Sequence, residues 1–198
     1  MSLDRFYPIF DHPDWLPRML PLGVKLVQMR IKDRPAADLR AMLSDARDAC
    51  REAGAVMVVN DHWELAIDLG CDWLHLGQED LDTADLEAIR GAGLKLGLST
   101  HDVPELERAL AYAPDYIALG PVWPTILKQM KWHRQGTAKL TDWKARIGDI
   151  PLVAIGGLSI ARAPEAFAAG ADIVSAVTDI TLNADPEARL AAWIEATR

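Results

Sequence analysis

Cysteine is scarce in this chain: Cys50 and Cys71 are its two copies among 198 residues. Their spacing matches neither a zinc clip nor a redox pair, which excludes a fold stapled by metal or disulfide, and both are expected as buried free thiols. Long apolar runs are missing as well, so no segment reads as a membrane-spanning helix. The opening Met1-Ser2-Leu3-Asp4-Arg5 lacks the charged-then-apolar layout of a secretory signal, and a cytoplasmic protein is expected. Basic residues are outnumbered, 21 Lys+Arg against 29 Asp+Glu for a net charge of −8. That balance repels nucleic acid and anionic lipid, and neither is expected as a partner. Also absent is a glycine-rich nucleotide turn after the first apolar run, where Phe10-Asp11-His12-Pro13 stands instead.

Hydrophobic residues make up 50% of the chain, enough to bury the core of one domain spanning residues 1–198. Short apolar runs alternate with longer stretches of helical period, the pattern of parallel strands joined by crossover helices. The predicted strands are Phe6–Phe10, Val24–Arg30, Ala55–Asn60, Trp73–Leu76, Lys95–Ser99, Tyr116–Gly120, Leu152–Ile155 and Ile173–Val177. Helical patterns fall at Ala36–Glu52, Leu65–Leu69, Thr83–Ala92, Val103–Ala111, Leu140–Ile147, Ile160–Ala169 and Pro186–Ala196. Gly54, Gly70, Gly93 and Gly170 each stand shortly before a strand, where a helix ends cheaply at positive φ. A recurring unit of this kind predicts an α/β fold that closes as a (β/α)8 barrel, near the lower length limit of about 200 residues for that fold.

In such a barrel the chemistry belongs to the carboxyl ends of the strands. There the sequence offers Gln28-Met29-Arg30-Ile31-Lys32, Asn60-Asp61, His75-Leu76-Gly77-Gln78-Glu79-Asp80 and Ser99. Strand alternation puts Gln28, Arg30 and Lys32 on one side, a cationic cluster suited to pyrophosphate, or else cations merely solvated at a strand end. Asp61 and Asp80 read singly as helix N-caps and together as a hard oxygen site for Mg²⁺ bridging to phosphate. Glu79 should point away if the local backbone is extended. Ala154-Ile155-Gly156-Gly157 and Val177-Thr178 follow the last two strands, the place where many barrels bind phosphate on backbone N–H groups; a turn needing only positive φ is the alternative. The segment 121–139 has no sustained apolar period and is expected to be a mobile lid, with Trp123 and Trp132 available to cover a ring. The other tryptophans, and His62, His75, His101 and His133, have the patterning of packing or structural residues.

Together with Gly97-Leu98-Ser99-Thr100-His101 and Gly120-Pro121-Val122-Trp123-Pro124-Thr125 followed by Lys128, these motifs occur in an order and spacing that resemble the thiamine-phosphate synthase family along nearly the whole chain. The resemblance implies a transferase that couples hydroxymethylpyrimidine diphosphate to a thiazole phosphate, or its carboxylated form, and releases pyrophosphate by a dissociative displacement. It implies that Gln28, Arg30, Lys32, Asn60, Ser99 and Lys128 hold the pyrimidine diphosphate, with Arg30, Lys32 and Lys128 stabilising the leaving pyrophosphate. It further implies Mg²⁺ on Asp61 and Asp80, and the thiazole phosphate on Thr125, Ile126, Leu127, Gly157, Val177 and Thr178. Two positions depart from the pattern: Leu127 stands where the family usually has threonine, and Thr178 where it has serine. A thiazole tautomerase and a non-catalytic thiamine-precursor-binding barrel are the competing readings. Neither needs the full pyrophosphate grip that Gln28, Arg30, Lys32, Asn60, Asp61, Asp80 and Lys128 would form.

Overall fold

The computed structural model describes residues 3–125 and 134–198. Its strands are β1 (Phe6–Phe10), β2 (Leu26–Met29), β3 (Val56–Asn60), β4 (Trp73–Leu76), β5 (Lys95–Thr100), β6 (Tyr116–Leu119), β7 (Leu152–Ala154) and β8 (Ile173–Ala176). They close a barrel in sequential order, β8 returning to β1 with Tyr7 in register with Ser175. All the pairings are parallel, so every strand delivers its carboxyl end to the same mouth.

The helices are α1 (Leu16–Met19), α2 (Ala36–Glu52), α3 (Trp63–Asp68), α4 (Leu86–Gly91), α5 (Val103–Ala111), α6 (Thr137–Ile147), α7 (Ala163–Ala168), α8 (Thr178–Thr181) and α9 (Pro186–Ala196). The expected Thr83–Ala92 helix starts later, at Leu86, because the Asp85 carboxylate accepts the Ala88 N–H and caps it there. Helix α6 begins at Thr137, so Lys139 belongs to a helix and not to the segment 121–139 read as a loop. The stems of that segment are tied together: Gln135 N–H donates to Pro121 O and Gly136 N–H to Val122 O, at 2.8 and 3.0 Å. Residues 126–133, with Ile126, Leu127, Lys128, Trp132 and His133, lie outside the described residues.

Strand alternation sorts the core into two layers. Tyr7, Leu26, Val58, Trp73, Tyr116, Ala118, Val153 and Ile173 fill the barrel interior. A larger apolar layer lies between the strands and the surrounding helices, with Trp143 and Trp193 fully buried in it. Their indoles are satisfied by Thr100 Oγ1 and Asp179 Oδ2, at 2.8 and 2.7 Å. Cys50 and Cys71 are buried free thiols, and burial pushes the Cys50 thiol up to about 12. No helix among the described residues is long and apolar enough to cross a membrane.

Candidate active site

The floor of the mouth is polar. Gln28, on β2, is 2% exposed and donates its amide N–H to Tyr7 Oη at 2.8 Å. Tyr7 Oη meets Tyr116 Oη at 3.0 Å, and Tyr116 Oη meets His75 Nδ1 at 2.8 Å. The other ring nitrogen, His75 Nε2, lies 2.8 Å from Ser99 Oγ. A continuous hydrogen-bonded chain therefore crosses the barrel interior from β2 through β1, β6 and β4 to β5. Burial, assisted by the Arg30 cation and opposed by Asp61, lowers the His75 pKa to about 4 and keeps the ring neutral. Burial likewise raises Tyr7 and Tyr116 well above the ordinary phenol value, so both hydroxyls keep their protons.

Tyr7 and Tyr116 carry no signal in a hydrophobic pattern, since tyrosine in a buried strand reads as core. Gly97 was the available clue: a glycine inside a strand often marks close approach of another group. Here the group is the Tyr116 ring. Beside the chain, Gln78 donates to Ser99 O at 2.7 Å, while Gln78 Oε1 and Ser175 Oγ are buried without a partner among the described residues.

Past the ends of β2, β3 and β4 the expected ionic groups converge. Alternation holds, with Met29 and Ile31 buried at 0% and 1% exposure and Lys32 reaching Asp61 Oδ2 at 3.0 Å. The strand end is fixed by Arg30 N–H donating to Phe10 O and by His62 Nε2 on Ile31 O, both at 2.8 Å. Asn60 is buried beside His75 in the ladder, and Asp61 follows it in the left-handed region at φ 66°. Such backbone is costly for a residue with a side chain and recurs at functional sites.

Neither carboxylate is the helix cap that was the alternative: His62 precedes α3 without a side-chain cap, and Asp80 accepts the Gly77 N–H at 2.9 Å. Burial, and then the adjoining Asp61 carboxylate, push the Asp80 carboxyl above the ordinary carboxylate range. Two adjoining carboxylates are a donor set that fits a hard dication. No group of three or more metal-ligating side chains occurs among the described residues, so a cation here would take its remaining ligands from phosphate and water, as Mg²⁺ does. Glu79 is exposed, but its backbone is helical, at φ −69° and ψ −35°, and not the extended one that its expected outward direction requires.

The opposite side of the mouth is built by the turns after β6, β7 and β8. Gly156 and Gly157 have φ of 89° and 66°, and a Cβ on Gly157 would lie 2.4 Å from Pro124 O. These glycines admit the backbone of 121–124, which locks on through Val122 N–H to Ile155 O and Trp123 N–H to Gly156 O. The close approach that these glycines permit is made by the chain itself. Arg162 lies over the Trp123 ring, 5.6 Å from its centroid. Thr125 is half-buried at the end of this stem. Val177 precedes α8, which Asp179 anchors to α9 by two contacts with Arg189 at 2.8 and 3.0 Å. Thr178 opens that short helix, which the sequence pattern did not reveal. A cavity lined by Arg47, Cys50, Met57, Cys71 and Trp73 lies at the amino ends of the strands, away from this mouth, where barrel residues serve stability.

The family model described as thiamine monophosphate synthase matches residues 7–180, from β1 into α8. A thiamine-phosphate synthase of Rhizobium etli is 62% identical over 197 residues, covering 100% of this chain and 97% of its own length. One from Salmonella schwarzengrund is 46% identical over 189 residues, covering 96% and 90%. Among solved structures, a thiamine phosphate pyrophosphorylase from Pyrococcus furiosus has the same fold, with a TM-score of 0.86 at 24% identity over 98% of this chain and 95% of that one. With its matched motifs spread from the first strand to the last around one mouth, the chain belongs to the thiamine monophosphate synthase family.

Proposed function

We propose that this mouth couples 4-amino-5-hydroxymethyl-2-methylpyrimidine diphosphate to a thiazole phosphate, giving thiamine phosphate and pyrophosphate. The observation that carries the reading is the Lys32–Asp61–Asp80 cluster beside Arg30: two adjoining carboxylates, one already drawn to a cation, next to the polar pyrimidine floor. Asp61 and Asp80 would hold Mg²⁺, which supplies charge neutralisation on the pyrophosphate oxygens. Arg30 and Lys32, with Lys128 from the segment outside the described residues, would stabilise charge building on that leaving group. Gln28, Asn60 and Ser99 would hold the pyrimidine portion.

Thr125, Gly157, Val177 and Thr178, with Ile126 and Leu127, would hold the thiazole phosphate on the opposite side. The chain then needs no nucleophile of its own: it fixes the thiazole nitrogen against the pyrimidine methylene carbon and keeps water out while the carbon–oxygen bond breaks. A lid over 121–139, shortened at its far end by α6, would serve that exclusion. One barrel domain working in the cytoplasm fits two unpaired buried thiols and an acidic surface.

The deciding experiment supplies both substrates with Mg²⁺ and follows products by chromatography. Thiamine phosphate with stoichiometric pyrophosphate is expected. Thiazole isomerisation alone would replace the reading with a tautomerase, and binding without turnover with a precursor-binding barrel.

A further inference from the structure

The hydrogen-bonded chain across the barrel floor has a direction, and that direction decides what its two ends offer. Gln28 Nε2 can only donate, so Tyr7 Oη accepts it; the buried Tyr7 hydroxyl has no other acceptor among the described residues, so its own proton goes to Tyr116 Oη. Tyr116 in turn donates to His75 Nδ1. With Nδ1 accepting, the neutral ring carries its proton on Nε2 and donates it to Ser99 Oγ. The hydroxyl proton of Ser99 is then left over. So is Gln28 Oε1, which is not among the side-chain oxygens sealed without a partner in the described residues.

We propose that Tyr7 and Tyr116 are positioning residues that set the hydrogen-bond polarity of the pyrimidine site, making Gln28 present a carbonyl oxygen and Ser99 a hydroxyl proton. This rests on the function proposed above and adds its specificity. A 4-aminopyrimidine diphosphate offers amine hydrogens to the carbonyl, and acceptors, a ring nitrogen or phosphate oxygens, to the hydroxyl. A 4-oxopyrimidine offers a carbonyl oxygen in place of the amine and meets the Gln28 carbonyl with like polarity, a mismatch that buried polar sites reject strongly. Reversing the chain would turn the Gln28 amide around and commit the Ser99 proton to His75, so the two ends change together or not at all.

Two measurements test this. In protein carrying ¹⁵N-histidine, the His75 ring should show a protonated Nε2 and a bare Nδ1, and Tyr116→Phe should mix the tautomers. A wild-type His75 protonated on Nδ1 would overturn the proposal, whatever the substrate proves to be. Kinetically, the kcat/KM ratio for 4-amino over 4-oxo pyrimidine diphosphate should fall about tenfold in Tyr7→Phe and in Tyr116→Phe, the scale of one buried hydrogen bond left unmade, while KM for thiazole phosphate stays put. An unchanged ratio in both variants, or equal loss toward both substrates, would also overturn it. If Tyr116→Phe fails to fold, Tyr7→Phe interrupts the same chain at its other hydroxyl. Absence of any coupling by the wild-type protein would instead refute the proposed reaction, with the tautomer measurement still judging the polarity.

Discussion

The ring of Tyr116 occupies the space over Gly97: a Cβ added to Gly97 would lie 1.9 Å from Tyr116 Cζ and 2.2 Å from Cε1. The tyrosine can hold its hydroxyl between Tyr7 and His75 only because the residue opposite it on β5 has no side chain. Gly97→Ala is therefore expected to cost at least the ~1–3 kcal/mol of ordinary overpacking, measured by denaturant unfolding. Adding Tyr116→Leu should restore most of that stability and leave activity low, since space returns and the hydroxyl does not. If Gly97→Ala changes stability by less than about 0.5 kcal/mol, in the range of a neutral surface change, the contact is not a constraint.

Asp80 provides a test that separates stability from function. Its carboxyl, held above the ordinary range by burial and by Asp61, binds a proton more tightly in the folded than in the unfolded chain. Metal-free protein should accordingly lose stability as pH rises from about 4, the unfolded carboxyl value, through the raised folded value. Asp80→Asn removes that loss while still accepting the Gly77 N–H. The variant is expected to melt higher than wild type at neutral pH without Mg²⁺, to lose the thermal upshift that Mg²⁺ gives the wild-type protein, and to lose turnover. A lower melting temperature without metal would mean that the carboxylates are not in conflict.

Gly157 ties the proposed thiazole side to the stem of the 121–139 segment. At φ 66°, and with Pro124 O 2.4 Å from a would-be Cβ, Gly157→Ala combines left-handed strain with a backbone clash that no side-chain rotation relieves. The stem should be displaced, so KM for thiazole phosphate is expected to rise at least tenfold, with a smaller effect on pyrimidine diphosphate, whose proposed residues lie mainly on β2 to β5. Equal effects on both would place the damage in the fold as a whole. The comparison is made on folded protein, confirmed by circular dichroism.

Much of this arrangement was legible in the amino-acid order, and the residues that were not share a cause. All eight strands were visible, because parallel strands buried on both faces form short apolar runs bounded by glycines. Ends differ by a residue or two, as where Val24–Arg30 shortens to β2, although Arg30 N–H still reaches Phe10 O. Helix α1 was missed since Pro13, Pro17 and Pro21 punctuate it like a loop, yet each proline sits in a first turn, where its lost N–H costs nothing. Around the mouth, the charged residues stood out by type. Tyr7 and Tyr116 did not, because their polarity is one atom on a ring otherwise indistinguishable from core, and only the barrel's closure brings those atoms together.

Asp61 is the residue where backbone and chemistry pull in opposite directions. Its φ of 66° is a conformation that glycine adopts freely and a side-chain-bearing residue adopts at a cost of order 1–3 kcal/mol. What keeps aspartate there is not capping, since α3 takes no side-chain cap, and the ion pair to Lys32 is half-exposed and screened, worth at most about 1 kcal/mol. The cation-holding role proposed for Asp61 supplies a reason for its place there. Asp61→Gly should therefore match or exceed the wild-type melting temperature in the absence of Mg²⁺, because relief of strain offsets the lost ion pair. Asp80, freed of its neighbour's charge, should titrate nearer its ordinary value. At the same time Mg²⁺ should no longer stabilise the protein, and coupling should fall by at least a hundredfold, a loss that one charge-stabilising group at a reacting centre commonly causes. A variant that is markedly less stable yet couples normally per folded molecule would show that Asp61 holds the turn and not the cation.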